Sequence, residues 1–295
     1  MQMKLDKKNL SIAVGCYVLW GILPAYWNLL SGVNSLFILC CRIVFAFIFM
    51  MCILAVTGRM SIFLNTLKDK RAMRHLIPSS MFITCNWGIY IWAVNSGRVL
   101  DSSLGYYINP LIAFLLGVLL FREKHTKLQL AAVGLAFAGV IISLVAFGSF
   151  PYVALALSLS FATYGVLKRK ARTDPVAGIA VESMIFTPFA LVFAFVFLPN
   201  SFETIDFYKL ILLIGGGALT AIPLVLYSRA VNSIPFIVVG FLQYISPSLA
   251  LIYGLISGEI PSAAQLVSFT FIGLGLVLFS VAMVRIAKKE KADNK

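Results

Sequence analysis

Ten apolar runs of roughly 20 residues, the length that an α-helix needs to cross a bilayer, occupy almost the whole of this 295-residue chain. The predicted spans are residues 10–30, 34–57, 74–96, 103–121, 126–147, 149–168, 176–198, 207–230, 235–257 and 262–285. The two largest gaps, residues 58–73 and the tail after Arg285, are short and charged. We therefore expect these two gaps to be plain connectors and no soluble domain to lie between the spans.

The balance of apolar and charged residues supports this interpretation. Hydrophobic residues make up 61% of the chain and charged residues 12%, a composition that a soluble protein does not tolerate on its surface. The net charge of +13 would suggest a nucleic-acid partner in a soluble chain, but here the basic residues lie between the apolar runs. The sequence therefore predicts an all-α polytopic membrane protein with ten transmembrane helices and no nucleic-acid partner.

The distribution of basic residues predicts the orientation in the membrane. With ten spans both termini lie on one side, and 21 of the 24 Lys and Arg fall on that side. Arg98 and Lys209 fall on the other side, and Arg42 lies within a span. Because loops rich in Lys and Arg stay in the cytoplasm, we expect a multi-pass protein of the cell membrane with both termini cytoplasmic.

An internal repeat divides the chain into two halves. Over residues 93–110 and 230–247, which are 137 positions apart, seven residues are identical without a gap. Four of these matches are polar residues or proline, which apolar bias does not produce by chance. The repeated segments are Ala93-Val94-Asn95-Ser96 with Tyr107-Ile108-Asn109-Pro110, and Ala230-Val231-Asn232-Ser233 with Tyr244-Ile245-Ser246-Pro247; Tyr90 also aligns with Tyr227 and Glu123 with Glu259. We interpret residues 1–147 and 148–295 as homologous five-helix repeats.

Five spans per repeat is an odd number, so the second repeat must enter the membrane from the opposite face. Inverted repeats are a known plan of secondary transporters, which bind their substrate where the halves meet and alternate by rocking one half against the other. Two similar halves in opposite orientation also make the inward-open and outward-open states close in energy. The sequence therefore predicts a permease that works by alternating access.

Polar residues surround two prolines within predicted spans. Pro110 and Pro247 lack the N–H that would satisfy the carbonyl four residues earlier, and such an interruption is tolerated at membrane depth where a polar cavity takes up the freed group. Alternatively, each proline merely bends a packed helix. We predict that both prolines have a gating role and that nearby side chains contact the solute: Tyr107, Asn109, Gln243 and Tyr244.

The third span carries the densest set of polar and aromatic side chains. Asn86 and Tyr90 are four residues apart and share a helix face, as Trp87 nearly does. An amide, an indole and a phenol suit a pocket that stacks on an organic solute and hydrogen-bonds to it. Trp27 in the first span and Tyr164 in the sixth are further substrate-binding candidates.

Two ionisable residues lie within equivalent spans of the two halves, Arg42 in the second and Glu182 in the seventh. Charges in hydrocarbon are costly, so they face the interior, form pairs or mark a pathway. Arg42 is a candidate for attracting an anionic substrate, and Glu182 for carrying a coupling proton. The alternative is that both form structural pairs or reach the headgroups.

The sequence gives no support for a cofactor or a metal. The five cysteines have no metal-ligand spacing and no Walker motif is present, so we expect neither a cofactor nor ATP hydrolysis. An intramembrane enzyme acting on a lipid or peptide is an alternative function, but Glu182 has no second carboxylate or histidine at its depth. A solute channel is the other alternative. We expect a small-molecule substrate, the bilayer as environment, and a monomer or homodimer.

Several of these segments together resemble a known family. They are Trp20-Gly21, Arg42, Asn86-Trp87, Ala93 to Arg98, Leu104 to Pro110, Gly240 to Pro247 and Glu259. The combination is similar to the RarD proteins, EamA-domain permeases of the drug/metabolite transporter superfamily, over nearly the whole chain. The resemblance implies a bacterial carrier of ten helices in two five-helix repeats that exports small metabolites or drugs. This chain has Asn95-Ser96-Gly97 where the family commonly has Asn-Asn-Gly.

Overall fold

Long helices make up the computed structural model, which describes residues 7–96, 98–256 and 262–293. The prediction of an all-α polytopic membrane fold is confirmed, and each of the ten predicted spans coincides with helix. Glu259, one of the residues in the repeat, lies outside the described residues. The helices are α1 (Lys7–Asn28), α2 (Ser35–Val56), α3 (Met60–Lys68), α4 (Lys70–Asn95), α5 (Val99–Phe121), α6 (Lys127–Phe147), α7 (Tyr152–Ala171), α8 (Pro175–Phe197), α9 (Phe207–Ser233), α10 (Phe236–Leu242), α11 (Ile245–Ile256) and α12 (Ala263–Asp293), with a 3₁₀ turn at Pro199–Ser201.

Eight spans among the described residues are long and apolar enough to cross a membrane, and α10 with the first part of α11 forms one of them. The two other long helices are α4 and α7. They are more polar because α4 begins at Lys70-Arg71 and α7 ends with Lys168-Arg169-Lys170. Counted together, these helices give the ten spans that the sequence predicts.

Local sequence signals explain where several helices begin. The side chains of Asn34, Asp174 and Asp206 accept hydrogen bonds from backbone N–H groups in the first turns of α2, α8 and α9. Thr126 and Gln129 form a reciprocal capping box at the start of α6. These caps satisfy N–H groups that have no partner within the helix.

Two expectations about the connectors were wrong. Residues 58–73 contain the additional helix α3, whose apolar side buries Phe63. The tail after Arg285 continues α12 as helix to Asp293. The composition of a short amphipathic or charged segment next to a span predicts a loop. Such a segment is helical when one side of it packs against the neighbouring helices.

The two prolines lie in different local structures. Helix α5 runs through Pro110 without a break. The break lies in the second half at Gln243 and Tyr244, ahead of Pro247. There the carbonyl of Gln243, which Pro247 cannot engage, accepts a hydrogen bond of 3.1 Å from the Ser246 N–H instead.

The connectors show that successive spans alternate in direction. We call the end of the bundle at which α1 begins the N-terminal face. There Arg59, after α2, forms an ion pair with Asp174, before α8. At the opposite face, Asp101 in the first turn of α5 accepts a 3.1 Å hydrogen bond from the Ala154 N–H at the start of α7.

The packing partners of the long helices form a symmetric set. The contact between α4 and α7 has its counterpart in the contact between α9 and α1. The contact between α5 and α7 likewise has its counterpart in the contact between α11 and α1. The pairs α2 with α8, α5 with α10, and α6 with α12 also pack together. One relation breaks the pattern: α7 touches α9, whereas α1 and α4 barely meet in the described part of the chain.

Candidate functional site

Arg42 lies seven residues into α2 and its guanidinium is held between aromatic rings. The guanidinium carbon is 4.6 Å from the centroid of the Trp27 ring and 5.1 Å from that of Trp87. Its Nε donates a 2.9 Å hydrogen bond to Thr220 Oγ1, and the Thr220 hydroxyl donates to the carbonyl of Gly216. Cation–π contacts of this kind stabilise a charge that has left bulk water.

Three glycines in α9 explain why Thr220 and Trp27 can reach Arg42. Gly217 lies against the backbone of Phe45 in α2, so closely that a side chain at this position would overlap it. A Cβ atom at Gly216 would lie 3.2 Å from the Trp27 ring, and one at Gly215 would lie 2.7 Å from the Tyr26 hydroxyl. Small residues let membrane helices approach closely, so this segment positions α9 beside α1 and α2.

Two tyrosines complete the surroundings of Arg42. The rings of Tyr90 in α4 and Tyr106 in α5 are 6.0 Å apart, and both interact electrostatically with Arg42. Tyr90 is 38% exposed and Tyr106 is 43% exposed, although each belongs to a helix that packs inside the bundle. Trp27, Arg42, Trp87, Tyr90 and Tyr106 therefore form one group that is exposed in part through its two tyrosines, and we call it the Arg42 cleft.

Glu182 occupies a different environment, closer to the N-terminal face. Its Oε1 lies 3.1 Å from the Nζ of Lys168 and accepts a hydrogen bond from Ser79 Oγ at 2.5 Å. Its Oε2 accepts a 3.4 Å bond from the Tyr164 hydroxyl. The side chains of Lys168 and Glu182 are 0% and 5% exposed, so this pair joins α4, α7 and α8 in the interior.

A narrow cavity lies between the two charged sites. It is lined by Thr84, Trp87, Glu182 and neighbouring apolar side chains and has a volume of about 20 Å³. A cavity of this size holds about one water molecule. This cavity is therefore too small for an organic solute in this conformation.

An aromatic cluster closes the same half of the bundle. Tyr164 in α7 and Tyr227 in α9 stack with ring centroids 5.8 Å apart and planes 13° from parallel. Trp20 lies 5.6 Å from Tyr227 and 5.7 Å from Phe161. Tyr17, which donates a 2.8 Å hydrogen bond to the Val239 carbonyl, completes this set of rings, which we call the aromatic cluster.

The predicted residues of the repeat connect the two halves. Asn109 Nδ2 donates to Gln243 Oε1 at 2.5 Å, and the Tyr244 hydroxyl donates to the Tyr107 carbonyl at 3.0 Å. The Tyr107 ring packs on Phe269, 5.2 Å away. Asn109, Gln243 and Tyr244 are buried, so in this conformation these side chains hold α5 and the break between α10 and α11 together.

Asn86 does not face the Arg42 cleft with its neighbours. Its Nδ2 donates 2.8 Å hydrogen bonds to the Leu157 carbonyl and to Ser160 Oγ, both in α7. Of the predicted residues, the structure therefore brings together Trp27, Arg42, Trp87 and Tyr90. It places Glu182 with Tyr164 in a second site.

Sequence reasoning missed three residues of these sites. Lys168 opens a basic run and was expected at the end of a span, on the cytoplasmic side, but α7 continues to Ala171 and buries it. Ser79 carries no signal beyond its place near the start of α4. Thr220 follows the three consecutive glycines by three residues, and that spacing is a signal for a polar group at a close helix contact.

Comparisons with known proteins agree over nearly the whole chain. The model of the EamA-like transporter family matches residues 8–145 and 151–281. The uncharacterized transporter YojE of Bacillus subtilis (strain 168) is 38% identical, covering 99% of this chain and 100% of that protein. Protein RarD of Escherichia coli (strain K12) is 33% identical over 95% of this chain and 96% of its own. One solved crystal structure has a TM-score of 0.74 with 16% identity, covering 95% of this chain and 99% of that one, which shows the likeness of fold.

Proposed function

This chain belongs to the EamA-like transporter family, and from that premise we propose that it carries small organic metabolites or drugs across the cell membrane by alternating access, as an exporter. Family membership establishes a multi-pass membrane transporter of the drug/metabolite type and not an enzyme. We propose in addition the substrate class, the direction of transport and the alternating-access cycle.

We propose that residues 1–147 and 148–295 are the two moving units, related by a two-fold axis in the membrane plane. The packing partners support this division, because exchanging the first five spans for the last five returns most of the helix pairs that pack together. Helices α1 and α7 also begin at opposite faces of the bundle. Such a pair of inverted units has two conformations of similar energy that open to opposite sides.

One asymmetry carries the proposal of alternating access. Tyr164 and Tyr227 stack where α7 meets α9. If α1 and α7 are aligned at their midpoints, which differ by 144 residues, Trp20 takes the place of Tyr164. In the repeat, Tyr90 takes the place of Tyr227. Trp20 lies against Tyr227 instead, and Tyr90 lies half-exposed beside Tyr106. This asymmetry supports the proposal that the N-terminal face is closed and the opposite face is open, which is one of two alternating states.

The proposed orientation follows from charge. The N-terminal face carries the basic connectors, so it is cytoplasmic and the Arg42 cleft opens to the outside. In this state Trp27, Trp87 and Tyr90 are within reach of a solute. We propose that Asn86, Tyr107, Asn109, Tyr164, Gln243 and Tyr244 contact the solute when the opposite state exposes them, and that Pro110 and Pro247 border the moving segments.

The coupling proposal concerns Glu182. Its carboxylate lies beside the narrow cavity below Trp87 and pairs with Lys168. We propose that a proton neutralises Glu182 when the N-terminal face opens, which releases Lys168 and separates α7 from α8. Ionisable groups at membrane depth mark such relays in transporters.

The proposed function is tested by solute counterflow. A thermal-shift screen of the purified protein against a metabolite library selects a solute, and proteoliposomes loaded with it are then mixed with the labelled form outside. A carrier predicts saturable uptake with stimulation from the opposite side, and Tyr107→Ala and Tyr244→Ala reduce it without preventing membrane insertion. Flux that rises linearly with concentration would show a channel, and product formation would show an enzyme.

A further inference from the structure

Arg42 differs from the buried or half-buried cations elsewhere in the bundle. Lys168 pairs with Glu182, Arg169 with Glu123 at 2.6 Å, and Arg59 with Asp174. None of the ion pairs among the described residues involves Arg42. A charge at membrane depth is costly unless something compensates it, and no acidic side chain among the described residues supplies a counter-charge to Arg42.

The contacts of Arg42 leave one edge of the guanidinium free for that counter-charge. A guanidinium has five N–H donors in a planar fork, and Nε is taken by Thr220. The rings of Trp27 and Trp87 lie against the guanidinium carbon. The two terminal nitrogens remain, and their parallel N–H groups match the two oxygens of a carboxylate.

We propose that Arg42 is the anion site of the transporter and that its substrate is an aromatic carboxylate, with the carboxylate on Arg42 and the ring among Trp87, Tyr90 and Tyr106. This inference rests on the proposed transport function and names its substrate class. The two tyrosines are half-exposed, which leaves their faces and hydroxyls available to a planar solute. Offset or edge-on contacts between aromatic rings stabilise such a complex beyond its buried area.

Two features favour a free aromatic anion over a lipid phosphate. Arg42 lies seven residues from the start of α2, which places it about 10 Å below that end of the helix, deeper than a headgroup phosphate. The cleft walls are aromatic rings rather than further cations. Glu182, the acidic residue beside the narrow cavity, is occupied by Lys168, so the site offers no free carboxylate for an ammonium group.

The test compares two ligands of the same shape and different charge. Binding of 2-naphthoate and of the neutral 2-naphthamide is measured in phosphatidylcholine nanodiscs, with the signal of empty nanodiscs subtracted. The wild type is expected to bind 2-naphthoate about 10- to 100-fold more tightly than 2-naphthamide, the range for a charge-assisted hydrogen-bonded pair. Equal affinity for the two ligands would overturn the proposal.

Variants assign the preference to Arg42. Arg42→Gln removes the preference for 2-naphthoate over 2-naphthamide, whereas Arg42→Lys, which keeps the charge and loses the fork, gives an intermediate preference. Lys124→Gln, which removes an exposed cation elsewhere, behaves as the wild type. Persistence of the full preference in Arg42→Gln would refute the assignment, and a cooperative thermal unfolding transition verifies that the variant is folded.

A further arm separates this inference from its alternatives. Anionic phosphatidylglycerol in the nanodisc is expected to leave 2-naphthoate binding in place; competitive loss would mean that Arg42 holds a lipid phosphate and would overturn the proposal. If neither naphthalene ligand binds while spin labels on the two faces still exchange between two distances, the substrate class is wrong and alternating access stands.

Discussion

Lys168 and Glu182 form an ion pair of 3.1 Å with side chains that are 0% and 5% exposed. The pair links α7 to α8, and Ser79 ties the same carboxylate to α4. Removing both charges from water has a large desolvation cost, so a buried pair does not by itself stabilise a fold. Its position below the open cleft instead suits a lock that closes the N-terminal face.

The first prediction concerns the stability of this lock. Glu182→Gln leaves the Lys168 ammonium buried without a counter-charge, and the free energy of unfolding should fall by about 3–5 kcal/mol. The double variant Lys168→Met with Glu182→Gln should recover most of that loss. Unfolding of each purified variant in the same detergent, followed by intrinsic fluorescence, measures the effect.

The control is Arg59→Gln, in a pair whose side chains are 40% and 20% exposed, which should lower the free energy of unfolding by about 1 kcal/mol or less. A coupling energy of Lys168 and Glu182 below about 0.5 kcal/mol would contradict the proposed lock.

The second prediction concerns proton coupling. Because Gln resembles a carboxylic acid that is always protonated, Glu182→Gln should abolish the pH dependence of counterflow in the same proteoliposome assay. The residual rate should be the same at every pH within the range in which the wild type varies. Glu123→Gln serves as the comparison, since Glu123 caps α10 and pairs with Arg169, away from Glu182. A Glu182→Gln profile identical to that of the wild type would exclude Glu182 as the coupling acid.

The third prediction concerns the close approach of α9 to α2. A methyl group at Gly217 would overlap the backbone of Phe45, which cannot turn aside, so Gly217→Ala should destabilise the protein by about 1–3 kcal/mol. The matched variant Gly134→Ala lies in α6 with no atom within 4 Å of the new Cβ. It should be neutral or more stable by up to about 1 kcal/mol. Equal melting temperatures of the two variants would show that the α2–α9 contact is looser than described.

The fourth prediction concerns orientation. Short tags at both termini of the chain should react with an impermeant reagent only after the cell membrane is opened, because we expect the basic connectors to hold the N-terminal face in the cytoplasm. A cysteine at Lys209, at the opposite face, should react in intact cells. A terminus that reacts in intact cells would contradict both the proposed orientation and the inverted repeat.

The sequence was sufficient for the architecture because the bilayer restricts it so strongly. Runs of apolar residues predicted the ten spans, whereas the division into two halves, which rests on the polar identities in the repeat, stays a prediction. The end of α7 was missed because basic residues near the end of a span predict a loop. In the structure Lys168 is buried and pairs with Glu182, which is 14 residues away in the sequence. Helix–helix contacts of this kind are not encoded in the composition of either helix.

For the candidate site too, the sequence predicted the important residues but not their contacts. Arg42 and Glu182 were singled out as charges within apolar runs, and that reasoning needs no structure. Their different surroundings, an aromatic cleft for Arg42 and a buried pair for Glu182, depend on how α2 packs on α9 and how α7 and α8 each pack on α4. The uninterrupted path of α5 through Pro110 likewise depends on neighbours, which decide whether a proline bends or breaks a membrane helix.

Alternating access is tested most directly by two distances in one protein. The native cysteines are first replaced, and spin labels are then attached in pairs. One pair, Leu29 and Ser96, lies at the ends of α1 and α4, and the other, Lys170 and Arg229, lies near the ends of α7 and α9. All four positions are exposed. Electron–electron resonance then measures each distance in nanodiscs over a range of pH. The account predicts two populations for each pair that change in opposite directions, so that the first distance shortens as the second lengthens. A single unchanging distance at both faces under every condition would contradict it.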